Sequence, residues 1–357
     1  MPDEKLKTAL THWAHRFITN GVILADFQDI TGALESWDGW CAAWSARAEL
    51  HEGMGREALA QKNRVSAAEY LTRAGVYYHF GKFLFVHDLK EMRVAHLKAV
   101  ECRKLALPHL DPPGERVEIP YEGQFLAAIL RKPHGVAKPP VVLMAMGLDS
   151  AKEEMDSMEQ TFLQRGLATL CFDGPGQGEG EYDFAIRGDY EAAVKAVLDF
   201  VETRRDLDTS RIGLWGVSLG GYYAPRAAAF EKRVKACISL AGPYDWAEAW
   251  DGLPELTREA FRVRSHCKTQ DEAKRHAATL TLKGVAGNIV CPIFILTGKL
   301  DRIIPWQHAE RLAREAKGPA ELLIVEDGNH IANNRTYRWR PMSADWMAER
   351  LGVFPSS

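Results

Sequence analysis

The chain has 357 residues, 46% hydrophobic and 26% charged, with a formal net charge of −3. That composition specifies a folded chain with a large core. It carries no basic stripe for nucleic acid, and no apolar run approaches the ~18 residues a membrane span needs.

The opening stretch MPDEKLKTALTHW is charged and amphipathic, unlike a secretory leader, so a cytoplasmic location is expected. Apolar residues then recur at helical steps: Leu6, Leu10, Trp13, Phe17, and again Trp37, Trp40, Trp44. From Val65 onward the chain is rich in alanine and aromatics, with Gly75 and Gly81 as the main breakers. Helices with such broad apolar faces need a large surface to pack against. Most of these aromatics are expected in a core, and some at a substrate pocket where two domains meet. His12 and His15 lack a third metal ligand and are expected as surface or core residues.

Proline, glycine and charge concentrate in LPHLDPPGERVEIP (107–120), which marks a linker. Residues 1–112 are therefore expected as a helical cap or specificity domain, and 113–357 as a catalytic domain. After the linker, ERVEIP and GQFLAAILRKP predict a strand pair joined by the turn YEG. Short apolar runs follow at 140–146, 167–173, 211–216, 235–242, 291–298 and 320–326. Amphipathic stretches such as 187–203 separate them. The expected fold class is α/β: a mostly parallel sheet with helices on both faces, plus the N-terminal all-helical domain. A helical excursion is expected at about 245–288.

Cysteines 41, 102, 171, 237, 267 and 291 form no CxxC pair. Cys171, Cys237 and Cys291 lie in or beside predicted strands, as small buried residues of a reducing compartment. The glycines of DGPGQGEGE (173–181) alternate and are interrupted by Pro175, so they lack dinucleotide-loop spacing. A tight loop at the carboxyl edge of the sheet is expected there. No cofactor and no metal is expected.

The strand RIGLW runs into Gly216-Val217-Ser218-Leu219-Gly220, and the helix GYYAPRAAAFE follows. Strand, G-x-S-x-G and helix together predict a nucleophile elbow, in which the serine hydroxyl stands out from the carboxyl end of the sheet. A serine hydroxyl needs a base, and the base needs an orienting acid. Asp301 and His330 fall on loops after successive predicted strands, in the order the elbow requires. Asp327 is the rival acid, on the loop that must deliver the histidine. The oxyanion hole is expected from the backbone N–H groups of Leu219, after the nucleophile, and Leu148, in the GLDS loop after the 140–146 strand.

Residues from about 115 to 350 resemble an α/β-hydrolase. The helical first third, with MGLDSAKEE, DGPGQGEGE and GVSLGGYYAPRAAA, is similar to a narrower group. That group holds the 2,6-dihydroxypseudooxynicotine hydrolases, the fungal yellowish-green pigment hydrolases and fermentation-respiration switch esterase-like proteins. Its best-known members hydrolyse a carbon–carbon bond beside a ketone. The resemblance implies the triad Ser218, Asp301 and His330, and a further acid after the strand that follows the nucleophile. Here AGPYDWAEAWDGLPELT offers Asp245, Glu248 and Asp251, of which Glu248 is favoured. The resemblance also implies a homodimer, and the aromatic-rich N-terminal helices suit a flat, aromatic or polyketide-like small-molecule substrate over Ser218. Rival expectations are a carboxylesterase or amidase on the same triad, acyl transfer to a nucleophile other than water, and a non-catalytic scaffold. The intact serine, histidine, acid and glycines weigh against the last.

Overall fold

The computed structural model describes residues 3–353, so the outermost residues of both expected segments lie outside it. Helices α1 (Glu4–Thr19), α2 (Leu24–Gly32), α3 (Trp40–Ala60), α4 (Arg64–Lys82) and α5 (Leu89–Ala106) come first. Asp3 caps α1 by accepting from the backbone N–H groups of Lys5 and Leu6, and Asp88 caps α5 the same way through Lys90 and Glu91. The aromatic positions anticipated in the sequence pack on one another. Phe17 lies 4.5 Å from Phe80 and 5.4 Å from Trp44, ring centre to ring centre, both edge-on. Trp13, Trp40 and Trp44 are buried.

The sheet begins with β1 (Gly114–Tyr121) and β2 (Gln124–Arg131), an antiparallel pair turning at Glu122–Gly123. Then come β3 (Pro140–Ala145), α6 (Asp156–Leu163), β4 (Ala168–Phe172), α7 (Glu191–Glu202), β5 (Asp208–Val217), α8 (Gly220–Phe230) and β6 (Val234–Leu240). The chain next makes α9 (Trp246–Ala249), α10 (Glu255–Arg264) and α11 (Gln270–Ala277) before returning to the sheet. It closes with β7 (Ile293–Gly298), α12 (Gln307–Glu315), β8 (Ala320–Val325) and α13 (Arg340–Arg350).

Strand order is β1-β2-β4-β3-β5-β6-β7-β8, and β3 through β8 run parallel. Every residue of β3, β4 and β7 is buried, as expected where helices cover both faces. α7 shows why: Val194, Val197, Leu198 and Val201 fall on one stripe and are buried. The parallel strands bring the loops after β3, β5, β7 and β8 to one edge of the sheet. Among the described residues no helix is long and apolar enough to cross a membrane.

Candidate active site

Ser218 stands between β5 and α8 with φ 56°, a left-handed conformation that a non-glycine residue adopts only under constraint. The constraint comes from its neighbours. A Cβ on Gly216 would collide with the Gly220 carbonyl, and one on Gly220 would collide with the Ala145 carbonyl. Side chains at either position would push the turn apart, so the glycines are what allow the serine to be held there.

His330 follows β8, on a turn where Ile331 and Ala332 also take positive φ (61° and 49°). Its Nε2 lies 2.9 Å from Ser218 Oγ, and its Nδ1 lies 2.7 Å from Asp301 Oδ2. Asp301, after β7, accepts from the Ile303 and Ile304 N–H groups through its other oxygen, at 2.8 and 3.0 Å. Its side chain is fully buried. Asp327, the rival acid, is half exposed and paired with Arg335 at 2.7 Å.

Of the three acids considered after β6, none touches the serine. Glu248 sits in the short helix α9 with its carboxylate turned to Lys283 (2.8 Å) and Arg311 (3.4 Å), 45% exposed. The carboxylate favoured as the further acid thus faces two basic side chains. Of the three, the buried one is Asp245, the N-cap of α9. It caps α9 through the Glu248 N–H and bonds Thr281 and Lys283. Burial would raise its pKa, but Lys283 and Thr281 lower it, so it stays ionised. Asp251 is exposed and paired with Lys274.

Leu148 and Leu219 are buried. Neither backbone N–H has a protein acceptor among the described residues. Two backbone N–H groups without a protein acceptor are what an oxyanion hole requires. Gly147 brings the loop close: a Cβ there would lie 2.8 Å from the Val217 carbonyl.

Sequence reasoning missed the charged groups around that loop. Arg16 of α1 is buried and bonds Asp149 Oδ1 (2.8 Å), Ser150 Oγ (3.1 Å) and Glu154 Oε1 (2.6 Å). Burial would raise the Glu154 carboxyl, but Arg16 and His79 pull it down to about 2. Arg264, the last residue of α10, donates to the Leu148 and Phe83 carbonyls. One signal was available: Arg16 falls on the stripe of Leu6, Trp13 and Phe17, where a charge needs a buried partner. His12, on the same helix, is half-buried, and burial first and then Arg302 and His330 lower its pKa.

His96, Glu153 and Asp173 bring ligand-type atoms within 4.8 Å of one another. Lys152 Nζ already sits among these carboxylates, 2.6 Å from Glu153, 2.7 Å from Asp173 and 2.7 Å from Glu179. An ammonium therefore supplies the cation there. Burial pushes the Cys41 thiol up to about 12 and the Cys171 and Cys237 thiols well above the usual range, the wrong direction for a nucleophile. Cavities of about 390 and 490 Å³ lie at the α4–α6 junction and between α5 and α10; Ser218 lines neither.

The chain matches the family described as esterase FrsA-like over residues 32–246, and the prolyl oligopeptidase family over 154–353. It is 35% identical to the 2,6-dihydropseudooxynicotine hydrolase of Paenarthrobacter nicotinovorans, over 97% of this chain and 94% of that one. It is 36% identical to the 20-hydroxy-prefusarin hydrolase of Gibberella moniliformis, over 74% of each. The crystal structure of 2,6-dihydroxy-pseudo-oxynicotine hydrolase superposes with a TM-score of 0.87 at 34% identity, covering 94% of this chain and 95% of the other.

Proposed function

The chain belongs to the FrsA-like esterase family of serine-type α/β-hydrolases, and from that premise we propose that it cleaves a carbon–carbon bond beside a carbonyl in an aromatic ketone or diketone. The observation that carries the mechanism is the unbroken relay from Ser218 Oγ through His330 to Asp301. Ser218 attacks the carbonyl carbon while His330 takes its proton, and Asp301 stabilises the imidazolium. The Leu148 and Leu219 N–H groups receive the oxyanion. Collapse breaks the bond to carbon, whose electron pair leaves as a stabilised carbanion and takes the proton from His330. Water, activated by the neutral histidine, then frees the acyl group as a carboxylic acid.

Likeness over the whole length, cap included, to a 2,6-dihydropseudooxynicotine hydrolase supports the carbon leaving group. Residues 1–112 serve as the specificity domain in this reading, since the Phe83 carbonyl shares the Arg264 guanidinium with the Leu148 carbonyl. Glu248, held by Lys283 and Arg311, takes no part. The family match to esterases favours a second reading, carboxylester or amide cleavage on the same triad. The resemblance also implies a homodimer, which sedimentation velocity of the full chain checks.

Incubation with p-nitrophenyl esters and with aryl β-diketones or acylated phenols, products read by mass, separates the readings. Wild type should cleave the diketone and Ser218→Ala should lose at least about 10³-fold in rate. Ester turnover alone, abolished in the variant, would move the assignment to an esterase. Equal rates in the two proteins would remove Ser218 as nucleophile.

A further inference from the structure

The loop that carries Leu148 is gripped by charged side chains from outside it. The Leu148 N–H, the oxyanion donor of this reading, belongs to the peptide after Gly147, which packs close to the Val217 carbonyl; the peptide on the other side of Leu148 offers its carbonyl to a side chain from outside the loop. Two buried guanidinium groups make the outside contacts. Arg264 donates to the Leu148 carbonyl through one nitrogen and to the Phe83 carbonyl through the other, while its Nε lies 3.2 Å from Glu181. Arg16 reaches the next two residues. One nitrogen bonds the Asp149 carboxylate, and the other touches the Asp149 carbonyl (3.4 Å), Ser150 Oγ and the Glu154 carboxylate. α1 also packs on the turn that carries His330.

We propose that Arg16 and Arg264 are positioning residues for the oxyanion donor, so that docking of the N-terminal helices completes the hydrolytic site rather than only shaping its pocket. The inference rests on the reading of Ser218 as nucleophile and Leu148 as donor. A planar fork with five donors can hold a carboxylate and a carbonyl together, whereas a lysine delivers one point charge. Arginine-to-lysine changes therefore keep the charge among Asp149, Glu154 and Glu181 but release the loop.

Arg103 of α5 supplies the comparison. It too is buried and ties the N-terminal helices to the sheet domain, through Asp156 (3.2 Å) and Glu159 (2.8 Å), yet it leaves residues 147–150 alone.

The experiment is saturation labelling of the full chain by an alkyl fluorophosphonate, whose phosphoryl oxygen must enter the oxyanion hole. Arg16→Lys and Arg264→Lys should each lower the maximal labelling rate about 10-fold to 100-fold, with the half-saturating concentration unchanged. Arg103→Lys should leave both quantities within about twofold, and thermal unfolding of the three variants should show that each is folded. Labelling of Arg16→Lys and Arg264→Lys at the wild-type rate would overturn the inference alone. An equal fall in Arg103→Lys would also overturn it, by reducing the effect to general loosening of the junction. Wild type that fails to label, or Ser218→Ala that labels equally, would instead remove the nucleophile on which it rests.

Discussion

Asp301 and Asp327 stand on adjacent loops with the same chemistry, and the structure separates them by what else each touches. Asp301 accepts two backbone N–H groups with the oxygen not offered to His330 and is fully buried. Asp327 faces Arg335 at the surface. Asp301→Asn should therefore lower the rate by about 10⁴-fold by fixing the wrong imidazole tautomer. Asp327→Asn should leave it within about twofold; steady-state rates of the two variants, side by side, make the check. The serine was legible because strand, glycines and helix restrict where it can fall, and the histidine because it follows the last predicted strand in the order the elbow requires. Glu248 was not, because nothing local says which carboxylate of a four-residue helix turns inward. Arg16 was legible only as a charge on an apolar stripe, since its partner Asp149 lies 133 residues away.

Among the elements, the strands were read closely because continuous apolar runs between turn residues leave little choice. The loop after β4 was read as a tight turn, and its packing explains the alternating glycines. Gly178 has φ 47°, and a Cβ there would strike the Asp173 carboxylate, which accepts from the Glu179 N–H and from Lys152. Gly178→Ala should thus destabilise by at least about 2 kcal/mol, through both strain and the displaced carboxylate. Urea denaturation of the variant against wild type measures it. The helices α1 to α5 were also evident in outline, but the polar side of their packing was not. A buried ion pair between remote elements leaves no periodic trace in either.

At the scale of the molecule, the junction between helices and sheet is tied by buried charges. Glu154 shows how pH acts on it. Its carboxyl is held at about 2 in the folded chain, below the ~4.3 of an unfolded glutamate. A depressed carboxylate contributes stability that is present above the unfolded value and lost as pH falls through the folded one. The urea midpoint, followed by intrinsic tryptophan fluorescence, should therefore be lower at pH 3 than at pH 6, and helix docking should weaken over the same interval. The junction has one more tie: Arg340, at the start of α13, donates to the Thr19 carbonyl and to Asn20 Oδ1 at the end of α1. A ribosome makes α1 long before Arg264 or Arg340 emerges, at roughly 5–20 residues per second. Helix α1 must wait, its arginine unpaired, until the loop it will grip has been translated, and it stays unpinned until α13 follows.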